Sequence, residues 1–295
     1  MNYTEKLRRG AKDGRGIICM GIDPVPGFMP YESGGAGEKI VSFFAKIFES
    51  LAAEGISPGA FKPNQGFFSC LDKPREGTFE GSAALAKILD MLSAMFPGVP
   101  VILDYKRGDI ARSSKNYALE GFESWKADAL TVSAYMGRDS VEPFFKEAAF
   151  RDAGVYVLNR TSNQGAGEFQ NIRMEDGRPL YLAVAENIRA WADRYPGTGA
   201  VVGATSPQEL GEIAGIFKDN HIPLLIPGVG SQGGNVKDVL NILKQQGYDI
   251  PVIRINVSSA ISYPWVRDKK SIPGDWVREC TDSFKRFAEE TGGVL

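Results

Sequence analysis

Eight short apolar runs punctuate the chain: GIICMGID (16–23), GAFKPN (59–64), VPVILDYK (99–106), ALTVSAY (129–135), VYVLNRTS (155–162), AVVGAT (200–205), PLLIPGV (223–229) and VIRINVSS (252–259). Each is rich in apolar residues, most of them Val, Ile or Leu, and closes on polar or glycine residues. That is the pattern of a strand buried on both faces. Between the runs the apolar spacing changes to three and four. Ile40, Phe43, Phe44, Ile47 and Leu51 share one face of a helix, and Leu85, Ile88, Leu89 and Leu92 do the same further on. Later helices are predicted over 113–126, 139–150, 180–194, 207–218, 234–246 and 275–290. The segments 31–40 and 159–180 read as long loops, which after barrel strands often cover active sites.

Eight strand–helix units predict an α/β fold, a single-domain TIM (β/α)8 barrel occupying residues 1–295. A doubly wound open sheet is the alternative, because counting strands does not prove closure. The barrel is favoured by the lack of a composition break or long linker, and of a G-x-G-x-x-G after the first run.

Composition narrows the chemistry. At 43 % hydrophobic residues the chain can build a substantial core, and a net charge of −2 gives no general pull toward nucleic acid or anionic membrane. The 3 cysteines, Cys19, Cys70 and Cys280, have neither disulfide-framework nor zinc-site spacing. The opening MNYTEKLRRGAKDGRG lacks the apolar core of a signal peptide, and no run approaches the ~18 residues a membrane helix needs. The expectation is a soluble, cytoplasmic protein. The only histidine, His221, leads into an apolar run, so histidine triads and multi-histidine metal sites are set aside. Chemistry is left to Lys, Asp, backbone amides and small polar side chains.

Those groups collect where barrel chemistry sits, at the ends of strands. In VILDYKRGDI, strand alternation sends Asp104 and Lys106 to one side and Leu103 and Tyr105 to the other. Asp109 follows in the loop before a helix, from which it reaches either its own site or another subunit's. Alone, the triplet also reads as a local ion pair with a helix-capping aspartate. GIDP adds Asp23 and FKPN adds Lys62 at other strand ends. A convergence of Lys62, Asp104, Lys106 and Asp109 at one mouth is hard to explain as solvation, because ion pairs there lose water. IPGVGSQGGN (226–235) reads either as an ordinary glycine turn or as a loop whose N–H groups approach a phosphate. RTSNQGAG contributes Ser162, Asn163 and Gln164, donors and acceptors suited to amide groups.

Taken in order, GIDP, FKPNQGFF, LDYKRGDI, TVSAYMGRDSVEPF, RTSNQGAGEFQ, IPGVGSQGG and INVSSAISY resemble the longer-chain orotidine 5′-monophosphate decarboxylases over most of the chain. The resemblance implies a cofactor-free, metal-free homodimer that converts orotidine 5′-monophosphate to uridine 5′-monophosphate. Lys62, Asp104, Lys106 and Asp109 would form an alternating charge network, with Asp109 supplied to the neighbouring subunit. Asp23 and Lys62 would hold the ribose hydroxyls, Ser162 the pyrimidine amide, and Gln232 with the Gly228–Gly230 backbone the phosphate. Decarboxylation leaves an electron pair in an in-plane orbital at C6 that the ring cannot delocalise. A lysine ammonium beside C6 would stabilise that charge and then supply the proton, the role expected of Lys106. The family usually carries an arginine after the eighth strand to grip the phosphate, whereas this chain has Ser258, Ser259 and Ala260 there. Arg254 and Arg267 lie nearby in sequence but match no motif position.

Overall fold

A computed structural model describes residues 1–31, 33–230, 233–267 and 269–291. The apolar runs form eight parallel strands: β1 (Ile18–Ile22), β2 (Ala60–Pro63), β3 (Ile102–Arg107), β4 (Ala129–Val132), β5 (Gly154–Arg160), β6 (Thr198–Val202), β7 (Leu224–Ile226) and β8 (Ile253–Val257). They pair in the order β2-β1-β8-β7-β6-β5-β4-β3. The ends of that series meet through parallel bridges Phe61–Val101 and Asn64–Asp104, which close the sheet into a barrel. An open doubly wound sheet has no such contact between its outermost strands, so the alternative is excluded.

Strand alternation sorts the core into two shells. Cys19, Ala60, Ile102, Ala129, Tyr156 and Leu225 pack together inside the barrel. Leu103, Leu130, Val155 and Val157 face outward onto the surrounding helices. The helix Ala36–Ala53 buries the apolar stripe that its spacing predicts, including Ile40, Phe43, Phe44, Ile47 and Leu51. The helices Leu180–Arg194, Pro207–Phe217, Val236–Gln245 and Trp276–Glu290 fall where the pattern places them. The predicted helix 113–126 begins slightly earlier, at Ala111, and continues past Leu119 as a wider π-helical turn, Glu120–Ser124. Among the described residues, no helix is long and apolar enough to cross a membrane.

One element escapes the pattern. Tyr3–Gly10 is a helix with a capping box, in which Asn2 accepts from the Glu5 amide and Glu5 accepts in return from the Asn2 amide. Its only large apolar side chains are Tyr3 and Leu7, both fully buried against the inner shell. The Tyr3 hydroxyl meets that of Tyr156 at 3.2 Å. The helix closes the floor of the barrel, at the N-terminal ends of the strands. Arg254 is buried at the same floor, donating to the carbonyls of Leu7, Gly59, Pro251 and Ile253. It is committed there, at the end opposite the chemistry.

Candidate active site

At the C-terminal ends of the strands, the structure joins Lys62, Asp104 and Lys106 in one chain of charge. The Lys62 ammonium lies 2.6 Å from Asp104 Oδ2, and Lys106 binds the other carboxylate oxygen, Oδ1. Lys62 and Asp104 are buried, while the Lys106 side chain is half exposed, with its ammonium toward the cavity. The parallel pairing of β2 and β3 puts Asn64 beside Asp104, and so brings Lys62 within reach.

Burial alone would lift the Asp104 pKa, but the charges of Lys62 and Lys106, with their hydrogen bonds, outweigh it and hold the carboxyl well below its ordinary range. Burial alone would lower the Lys62 pKa, yet Asp104 and then Asp23 reverse this and hold it above its ordinary value. Both groups are therefore charged at neutral pH, and each helps to keep the other so. Asp109 stands apart from this chain of charge. It is half-buried, its carboxylate accepts from the Ile110 amide, and its carbonyl accepts from Ser114. Within this chain three of the four expected groups converge.

The chain of charge lines a cavity of about 520 Å³, within the usual range for small-ligand sites. A larger cavity of about 760 Å³ opens at the opposite end of the strands, beside Lys6, Asp90 and Trp125, away from the charged chain. Size does not choose the site; the convergence of charge does. Asp23 enters the smaller cavity from the end of β1, with Oδ2 accepting from the Ser258 hydroxyl and Oδ1 buried without a partner. Ser258 reaches it because Gly21 leaves room, since a Cβ at Gly21 would stand 2.6 Å from that of Ser258. Ser162 lines the cavity from the loop after β5.

Gly228 and Val229 border the cavity, and Gly228 has a φ of 95° that favours glycine. Gly230 stands behind them, with its amide donating to the Gly234 carbonyl at 3.1 Å. Gln232 lies outside the described residues. Ser258 and Ser259 line the wall where the arginine was expected, and among the described lining residues the cations are Lys62 and Lys106.

Several residues of the site were given no role by the sequence, although most of them stand within the quoted motifs. Thr131 on β4 lies directly behind Asp104, with its hydroxyl donating to Oδ1 at 3.0 Å. Arg107 turns outward from Lys106, donates to Gln65 at 3.0 Å and lies 4.4 Å over the Tyr105 ring. Glu120 then accepts from both Gln65 and the Tyr105 hydroxyl. This brace fastens the outer side of β3. Tyr105, Arg107 and Gln65 stand within LDYKRGDI and FKPNQGFF, and the brace's other legible signal was the helical segment carrying Glu120, which packs against the strand end.

Fold and site together define a (β/α)8-barrel protein whose polar cavity is built around a lysine–aspartate–lysine chain, buried at Lys62 and Asp104. The orotidine 5′-phosphate decarboxylase / HUMPS family model matches residues 75–261, and the chain belongs to that family. An orotidine 5′-phosphate decarboxylase of Ralstonia pickettii is 39 % identical over 263 residues, covering 89 % of this chain and 90 % of the relative. One from Bordetella pertussis is 38 % identical over 290 residues, covering 96 % and 98 %. Among solved structures, the OMP decarboxylase of Leishmania donovani superposes with a TM-score of 0.75 at 29 % identity, covering 99 % of both chains. The UMP synthase of the same organism gives 0.77 at 31 % identity, covering all of this chain and 56 % of the longer one.

Proposed function

We propose that this chain removes CO₂ from orotidine 5′-monophosphate to give uridine 5′-monophosphate, as a carboxy-lyase. The observation that carries the reading is the Lys62–Asp104–Lys106 chain at the cavity mouth, buried at its first two members, in a member of this family. Lys106 is the group with a free path to substrate. Its ammonium faces the in-plane electron pair left at C6 and then donates the proton there. Asp104 anchors that ammonium from below and is itself kept ionised by Lys62. Asp23 presents an unpartnered buried oxygen suited to a ribose hydroxyl, with Lys62 beside it. Ser162 faces the pyrimidine amide, and the Gly228 backbone and Gln232 serve the phosphate.

The position of Asp109, half-buried and apart from the chain of charge, supports its service to a neighbouring subunit, which makes the working unit a homodimer with shared sites. Ultraviolet-monitored loss of orotidine 5′-monophosphate by purified, chelator-treated protein tests the reading. Conversion to uridine 5′-monophosphate is expected. No conversion at saturating substrate, from folded protein, would overturn it.

A further inference from the structure

β3 is irregular where it carries the reacting groups. Its pairing with β4 runs from Leu103–Leu130 directly to Arg107–Val132, so Asp104, Tyr105 and Lys106 together face Thr131 alone. Lys106 has a φ of 47°, a left-handed conformation uncommon for a residue with a side chain. Neither Tyr105 nor Lys106 has a paired residue on β4, and both amides need an acceptor.

The Thr131 hydroxyl meets that need. It accepts from the Tyr105 amide at 2.9 Å and from the Lys106 amide at 3.0 Å, and it donates to Asp104 Oδ1 at 3.0 Å. A hydroxyl has one proton and two lone pairs, so its full capacity is spent on three consecutive residues of the site. Consecutive N–H groups converge on one acceptor only where the backbone leaves the extended form, as a left-handed residue allows. Thr131 is 1 % exposed, so water is not a ready substitute.

We propose that Thr131 is a positioning residue for the decarboxylation, setting the Asp104 carboxylate and the left-handed Lys106 backbone in one fixed relation. This rests on the decarboxylase reading above. The carboxylate oxygen that Thr131 binds is also the one that binds Lys106, so the hydroxyl defines both ends of the contact holding the ammonium in the cavity. Valine has the shape of threonine but can do none of this, whereas serine can do all of it.

Three proteins test the proposal: the unaltered chain, Thr131→Val and Thr131→Ser. In Thr131→Val, kcat falls roughly a hundredfold, the usual cost of a misplaced reacting group. KM and the Kd for uridine 5′-monophosphate stay within about threefold, because the groups that hold substrate are elsewhere. Thr131→Ser restores kcat to within about fivefold of the unaltered chain, by the same hydroxyl logic. A valine variant with undiminished kcat overturns the proposal, and so does a serine variant as impaired as a hydroxyl-free one. Where the valine protein does not fold, a serine variant within about fivefold of the unaltered kcat upholds the proposal, and one impaired by about a hundredfold overturns it. If the unaltered chain turns over no substrate, the decarboxylase reading fails by itself. Amide exchange at Tyr105 and Lys106 then decides the positioning claim: faster exchange in Thr131→Val than in Thr131→Ser upholds it, and equal rates overturn it.

Discussion

The Lys62 ammonium and the Asp104 carboxylate meet at 2.6 Å with both side chains almost wholly out of water. Removing one member of such a pair leaves an uncompensated buried charge, which costs about 3–5 kcal/mol. Lys106 remains on Asp104, so Lys62→Ala is expected at the lower end, a loss of about 3 kcal/mol in urea denaturation at neutral pH. A loss below about 1 kcal/mol would place the pair with exposed salt bridges instead.

The same pair fixes a pH window. The Asp104 pKa is lowered by folding, so its stabilisation is complete above the unfolded value of about 3.9 and disappears as pH falls toward the folded value. The Lys62 pKa is raised, so its stabilisation is complete below the unfolded value of about 10.4 and disappears as pH rises through the folded one. Between those limits this pair contributes no slope. Comparing denaturation curves of the unaltered chain and Asp104→Asn from pH 3 to pH 7 checks the acid side, where the gap between them should narrow as pH falls.

Lys106→Ala removes the half-exposed end of the charge chain and leaves the buried end intact. The protein should fold, while turnover drops by at least about 10⁴-fold, since electrostatic stabilisation and proton donation are lost together. Circular dichroism and the ultraviolet assay on the same sample decide it; near-normal turnover would remove Lys106 from the chemistry.

The wall bearing Ser258 and Ser259 lacks the guanidinium that the family resemblance leads one to expect. Ser259 is exposed on that wall, so Ser259→Arg has room to reach a phosphate. A charge-assisted hydrogen bond is worth about 1.5–3 kcal/mol, which predicts a KM at least about tenfold lower. The kcat should change little, because the phosphate is remote from C6. An unchanged KM would mean that the phosphate lies elsewhere.

Mixing Lys106→Ala and Asp109→Ala subunits tests the shared site. Each parent should be nearly inactive, while each mixed dimer rebuilds one complete site. Absence of recovery after subunit exchange, confirmed by mass, would confine Asp109 to its own chain.

Much of this architecture was legible because buried parallel strands leave a strong signal. Runs such as VPVILDYK can hardly be anything else, and their polar last residues mark the working end of a barrel. The floor helix was not legible, because Tyr3 and Leu7 are two apolar residues in a polar segment, and their burial depends on a cavity formed by distant strands. Period-two alternation rightly places Asp104 on the inside, but it brings Lys106 there by a regular strand, whereas the structure does so through a left-handed residue. The role of Thr131 was invisible for a related reason. A β-branched residue in a strand needs no explanation until the three atoms bonded to its hydroxyl are seen. Arg254 teaches the converse, since it is near the eighth strand's end in sequence yet serves the opposite end of the molecule.

The left-handed backbone at position 106 sets two selective pressures against each other. Backbone conformation alone would favour glycine there, by about 1–2 kcal/mol over lysine. Glycine has no ammonium. Lysine at this position therefore holds a backbone conformation that costs the fold, and what it supplies in return is a charge at the cavity.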